Sequence, residues 1–243
     1  MPPKRKKKAI NWGPVLAIAL AVNVVLGLFL SPITSVRKLR ILGAQPHDTT
    51  RLRELAHSLQ GVPFGLMPAE RFESEVLRQR DVYNADLSHN LFGSGVLRLQ
   101  YRRPVAILLG VPNTYLDDQG VLYGSPEVIP GIRQLSLQED YMQPVVALTQ
   151  PWPSAVVAHL CNKLDSFAEL EGGVVHLDTT GRLWISKENS GKVDLGGTEA
   201  LDEKLRKLRQ LLDDEPTLLS KVKTLTLTDP SRPALDNGKG TSR

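Results

Sequence analysis

A single cysteine, Cys161, stands in the 243 residues. One thiol closes no internal disulfide, so the fold must rest on packing alone. Cys161 follows Val156, Val157 and Leu160 in a helix-like stretch, where a small apolar residue suits a buried position. Catalytic groupings are scarce too. The five histidines, His47, His57, His89, His159 and His176, are scattered, and no two have the i, i+4 spacing that puts two imidazoles on one helical face. There is no G-x-S-x-G. Ser190-Gly191-Lys192 shares only its Gly-Lys with a phosphate loop: the first glycine of that motif falls on Ser186, and Val193 replaces the magnesium-binding hydroxyl. Asp117-Asp118 lacks the further oxygen ligands of a calcium loop and reads, with Gly120, as a turn. His176 and Asp178, at i, i+2 on one strand face, fit a hydrogen-bonded pair or a solvent-facing edge. No catalytic, cofactor or metal residue is assigned, which moves the reading from enzyme to binding and scaffolding.

Acidic residues are missing before Asp48, and long apolar runs are missing everywhere but once. Of 30 Lys and Arg, five are residues 4–8, so the chain beyond Leu30 carries 25 positive against 26 negative groups, a net charge of −1. A near-neutral remainder has no footprint for a phosphate backbone, which argues against nucleic acid. The exceptional run is Val15 to Leu30, with Asn23 its only polar side chain. Counted from Ile10, the 21 residues would rise about 31 Å, against a bilayer core of about 30 Å. Trp12 occupies an interfacial position, and the preceding Lys4, Arg5, Lys6, Lys7 and Lys8 favour a cytoplasmic N-terminus. A cleavable signal would need a shorter core; Ala17, Ala19 and Ala21 have small-x-small spacing but lie inside the run. The sequence therefore predicts a cytoplasmic basic tail over 1–9, a transmembrane helix over 10–30 and an extracytoplasmic remainder.

That remainder is long enough for one large or two small cores. Ile33 to Leu42 alternates Leu39 and Ile41 with Lys38 and Arg40 and predicts a strand ending at Gly43. Asp48, Thr49 and Thr50 offer cap oxygens to a helix whose Leu52, Leu55, Ala56 and Leu59 share one face, closed by Gly61. Pro68 opens a second helix, with Ala69, Phe72 and Val76 on one side. Val82 to Leu87 and Val96 to Tyr101 predict two strands around a turn at Ser88 to Gly95. The order strand, helix, helix, strand, strand makes a compact α+β unit.

From Pro104 the pattern turns to short strands: Val105 to Leu109, Thr114 to Leu116 and Gly120 to Tyr123. Pro126 to Gln150 reads as irregular. Ser154 to Leu170 predicts a helix entered at Pro153, and strands are expected over Val174 to Asp178, Leu183 to Ser186 and Lys192 to Leu195. Thr198 is placed to cap a long helix with Leu201, Leu205, Leu208 and Leu212 as its buried stripe and solvated pairs Asp202–Arg206 and Glu203–Lys207. Val222 to Thr228 alternates Thr and Leu as the last strand. After Asp229 the composition predicts a disordered tail, 230–243.

In this order the chain resembles the FtsQ/DivIB family of cell-division proteins over roughly residues 1–229. The resemblance rests on VRKLRILG ending at Gly43, on Gly61, and on the junction YRRPVAILLG followed by TYLDDQGVLYG. There Arg102, Pro104, Ala106, Asp117 and Gly120 match the family pattern. Val193, Leu195, Gly196, Lys204 and Leu205 extend the match. Tyr101 replaces the usual Glu, and TLTLTD lacks the Asp-x-Arg often found in the last strand. The resemblance implies an N-terminal transmembrane helix, a small POTRA-like domain over 33–102 and a larger, mainly antiparallel β domain with helices over 103–229. It implies a non-enzymatic scaffold at the division septum of the inner membrane, without cofactor or small-molecule substrate. Its partners would be FtsB/DivIC-like and FtsL-like single-span proteins, and it would help control septal peptidoglycan synthesis.

A strand with unpaired backbone groups accepts a partner strand. Val222, Lys223, Thr224, Leu225, Thr226, Leu227 and Thr228 are therefore the candidate partner-binding edge, the alternative being a central strand paired on both sides. Competing classes are a POTRA protein of envelope transport or assembly, which would usually carry repeated units or a barrel, and an anchored cell-wall enzyme, which would need convergent catalytic groups.

Overall fold

The computed structural model describes residues 12–30, 35–63, 66–90, 93–137 and 152–237. The predicted tail over 1–9, residues 138–150 of the irregular stretch and the terminal 238–243 lie outside the described residues. The chain forms two compact units, Met1–Tyr101 and Arg102–Arg243.

Helix α1 spans Trp12–Leu30. The transmembrane helix expected over 10–30 is corrected by this element: no helix among the described residues is long and apolar enough to cross a membrane. The reason lies in length. The described helix of 19 residues rises about 28 Å, a little under a bilayer core of about 30 Å.

The rest of the first unit runs β1 (Lys38–Leu42), α2 (Thr49–Ser58), α3 (Ala69–Val76), β2 (Val82–His89) and β3 (Ser94–Tyr101). The three strands order as β1-β3-β2, with β1 parallel to β3 and β2 antiparallel to it. The period-3.6 face of α2 and the period-2 faces of the strands meet in one core, where Leu52, Leu59, Phe72, Val76, Leu87, Leu97 and Leu99 are buried. Gly43 turns the chain out of β1 at φ +82°, and a Cβ there would stand 2.5 Å from the Leu99 carbonyl oxygen, so only glycine fits. The expected cap at Asp48 takes another form: its side chain caps no helix N–H and turns inward to Arg51 and Tyr101.

Among the described residues the second unit is built on nine strands: β4 (Pro104–Leu108), β5 (Thr114–Asp117), β6 (Leu122–Gly124), β7 (Arg133–Leu137), β8 (Val174–Leu177), β9 (Leu183–Ser186), β10 (Lys192–Gly196), β11 (Thr224–Thr226) and β12 (Ala234–Asp236). They order as β12-β11-β10-β9-β8-β7-β4-β5-β6. The sheet is mixed and, as expected, mainly antiparallel: β11 with β12, β9 with β10, β8 with β9, β4 with β5 and β5 with β6 are antiparallel, while β4 with β7, β7 with β8 and β10 with β11 are parallel. The parallel pairs follow from connectivity, since helical crossovers, α4 (Ser154–Leu164) between β7 and β8 and α5 (Leu201–Asp214) with α6 (Leu218–Lys221) between β10 and β11, return the chain in the same direction.

Alternation buries Leu135, Leu137, Val175, Leu177, Leu183, Ile185, Val193, Leu195, Leu225 and Leu227 on one face, in a single cluster with Val157, Leu160, Leu164, Leu205, Leu208 and Leu212 of the helices. Each such side chain contributes about 1.5–3 kcal/mol on leaving water. Cys161 belongs to this core, and burial pushes its thiol up to about 12. Strand β7 forms inside the stretch read as irregular, and β12 inside the stretch read as a disordered tail. The helix expected from Thr198 begins at Leu201, with Ala200 in the left-handed region at φ +52° and no side-chain cap.

The junction residues collect at the start of this unit. Arg102 donates to the buried Asp117 carboxylate, whose Oδ1 also accepts the Gln119 N–H at 3.0 Å and the Val121 N–H at 2.7 Å. Gly120, at φ +82°, lies against the start of α4, where a Cβ would approach the Ala155 backbone nitrogen to 2.5 Å.

Candidate interaction edge of the large sheet

Val222 to Thr228 divides into a helix end, a strand and an exit. Val222 is buried at the end of α6, Thr224–Thr226 is β11, and Thr228 is exposed. The alternation is as read: Leu225 and Leu227 are fully buried, while Thr224 and Thr226 are half-buried on the other face. The position in the sheet differs from the edge expectation. β11 pairs with β10 on one side and with β12 on the other, and the Lys223 N–H donates to the Asp236 carbonyl at 2.7 Å. The outermost strand at this end is β12.

Register makes the consequence definite. Ile185, Val193, Leu225 and Leu235 stand opposite one another across β9, β10, β11 and β12. Directly opposed residues of a sheet share a face. The first three are fully buried at 0% exposure; Leu235, at the end of the row, is 52% exposed. The apolar row thus runs out of the core and onto the edge strand. Ala234 and Asp236 are exposed as well.

The other face of the sheet behind this edge is polar and aromatic. His176 and Trp184 face one another across β8 and β9, stacked at 5.1 Å with 3° between the rings. Lys192 Nζ lies 4.4 Å from the Trp184 centroid. His176 shares a hydrogen bond of 2.7 Å with Ser186 Oγ, and burial followed by the Lys192 charge holds its pKa below the ordinary value. Asp178 serves the turn instead, accepting the Thr180 and Arg182 N–H groups at 2.9 Å each. Arg182 binds the Asp194 carboxylate through both Nε, at 3.1 Å, and Nη2. Burial alone would raise the Asp194 carboxyl, but Arg182 and the Gly196 N–H outweigh it and hold the group below its usual range.

The remaining histidines stay apart. His47 pairs with Asp81 at 2.8 Å in the first unit, and His159 with Asp202 at 3.0 Å in the second, so the partner of Asp202 comes from α4, while the Arg206 expected from spacing acts on it through its charge. Among the described residues no three His, Cys, Asp or Glu side chains come together as a metal site would need. Strand β12 was missed because Pro230, Ser231, Pro233, Asp236 and Asn237 carry a loop composition; the one signal was the isolated apolar pair Ala234-Leu235.

Against known proteins, no family model matches the chain and no curated protein matches it.

Proposed function

We propose that this chain is a non-enzymatic scaffold of the FtsQ/DivIB type, with a POTRA-like first unit and a partner-binding second unit, working at the division septum. Its partners are FtsB/DivIC-like and FtsL-like proteins, and the docking step is addition of a partner strand to β12. One observation carries the reading: a fully buried apolar row ends in the half-exposed Leu235 on the outermost strand. A strand laid along β12 would extend the backbone ladder and cover Leu235, which gives affinity and register together. β11, with Thr224, Leu225 and Thr226, then serves as the platform that fixes β12, in place of direct contact.

The test is a photo-crosslinking residue placed singly at Ala234, Leu235, Asp236, Thr224 and Thr226 of the full chain in dividing cells. Crosslinks from the β12 positions to a small single-span coiled-coil protein, lost in a Leu235→Pro variant whose circular dichroism is unchanged, are the expected result. Silence at all three β12 positions in the folded protein would overturn strand addition here, and crosslinks to an outer-membrane assembly or transport protein would overturn the cell-division role.

A further inference from the structure

Strand β1 is the outermost strand of the three-stranded sheet on one side, and β2 on the other. The two edges are finished differently. At β2, Glu73 of α3 accepts the Leu87 N–H at 2.7 Å, so a side chain already occupies that edge. Beside β1, the chain after α2 reaches only Val36, which donates to the Val62 carbonyl at 3.1 Å and accepts the Gly61 N–H at 3.0 Å. From Lys38 the strand turns to β3: the Lys38 N–H donates to the Gly93 carbonyl at 3.1 Å, and the parallel register continues to Leu42 opposite Arg98. Backbone direction alternates along a strand, so Lys38, Arg40 and Leu42 direct their N–H and C=O groups to β3. Leu39 and Ile41 aim theirs outward.

The side chains of β1 divide into two faces as well. Leu39 and Ile41 pack on the first apolar cluster but are only half-buried, since among the described residues no strand lies beyond them. Lys38, Arg40 and Leu42 stand exposed on the opposite face, Leu42 at 50%. On that face Arg98 of β3 has Asp86 of β2 at 3.7 Å. Among the described residues, Lys38 and Arg40 have no such carboxylate. The edge therefore offers outward backbone groups, two apolar side chains short of cover, and two uncompensated cations about 7 Å apart along the strand.

We infer that β1 is a docking edge for an extended polypeptide strand of alternating character, with acidic side chains opposite Lys38 and Arg40 and apolar side chains opposite Leu39 and Ile41. Directly opposed residues of a ladder share a face, so one strand meets both requirements in a single register. A slip of one residue would set acids against Leu39 and Ile41 and apolar groups against the cations. Charge selects the partner. A second copy of β1 would bring its own Lys38 and Arg40 onto the same face as these, which like charges oppose. An anionic membrane surface would answer the cations, but neither the outward backbone groups nor Leu39 and Ile41. This edge belongs to the first unit and stands or falls without the β12 edge.

The experiment follows the Leu39 and Ile41 amides of the full chain by ¹⁵N NMR and hydrogen exchange during titration with N-acetyl-Gly-Glu-Val-Glu-Val-Glu-Gly-amide. Its comparison probes are the Lys counterpart of the peptide, a form N-methylated on the three central residues, and vesicles of phosphatidylglycerol. Saturable shifts and slowed exchange at Leu39 and Ile41 are expected with the Glu peptide, and binding about tenfold weaker with the Lys peptide, whose charges repel Lys38 and Arg40. The N-methylated form keeps the charges but loses the donors of its central residues, so it should not saturate. The double variant Lys38→Glu with Arg40→Glu, at exposed positions, should reverse the preference and bind the Lys peptide about tenfold tighter than the Glu peptide. Equal binding of the two peptides to the wild type, saturation by the N-methylated form, no response at Leu39 and Ile41, or an unchanged preference in the folded variant would each overturn the proposal. Vesicles that shift Lys38 and Arg40 while the Glu peptide leaves β1 unchanged would overturn it in favour of a membrane surface.

Discussion

A polar side chain can hold two elements together from a half-buried position, as Tyr101 does. Its hydroxyl donates to Asp48 Oδ2 at 3.0 Å, and Asp48 takes Arg51 at the same time. The end of β3 is thereby tied to the start of α2. Burial pushes the Tyr101 phenol up to about 12, and the hydrogen bond to Asp48 works in the same direction. In the unfolded chain the phenol titrates near its ordinary value of about 10. The folded state therefore holds its proton to higher pH, so this contribution is fully present below pH of about 10 and is lost as pH rises from there through about 12. Urea unfolding across that range should show stability falling with pH in the wild type. Tyr101→Phe should lose about 1–2 kcal/mol at neutral pH from the missing bond to a charged acceptor and show a flatter alkaline profile. An unchanged alkaline slope in the variant would assign the titration to other groups.

Among the elements, those set by local periodicity were legible in the sequence, and those set by distant pairing were not. Leu52, Leu55, Ala56 and Leu59 mark α2, and Leu201, Leu205, Leu208 and Leu212 mark α5, because the 3.6-residue period is written in neighbouring positions. Lys204 falls in the same buried stripe at 2% exposure, satisfied by the Gly197 carbonyl at 2.8 Å, and a lysine gives no sequence signal for that role. β7 escaped notice although Arg133, Leu135 and Leu137 alternate with Gln134 and Ser136, since the neighbouring prolines and glycine read as loop. The candidate edge was legible as an alternating strand but misplaced by one strand, because strand order depends on partners far along the chain and leaves no local mark. The division of α5 into a buried stripe and a solvated side has a measurable consequence. Leu208→Ala removes a fully buried side chain and should cost about 2–5 kcal/mol, whereas Arg206→Ala on the exposed face should stay within about 0.5 kcal/mol. Comparable losses for the two in chemical denaturation would mean that α5 is not packed as described.

At the scale of the whole molecule, the described residues hold two separate apolar clusters, one in each compact unit. Phe72, Val76, Leu97 and Leu99 belong to the first, and Val175, Leu177, Ile185 and Leu208 to the second. Cooperative unfolding follows the core, since the side chains of one cluster lose their contacts together. A deletion in one cluster therefore acts first on the backbone that cluster protects. Phe72→Ala should remove about 3–5 kcal/mol from the first unit. In native-state hydrogen exchange of the full chain, the Leu97 and Leu99 amides of β3 should lose protection by that amount, while the Val175 and Ile185 amides of β8 and β9 keep theirs. Equal loss in both sets would show that the two cores unfold as one.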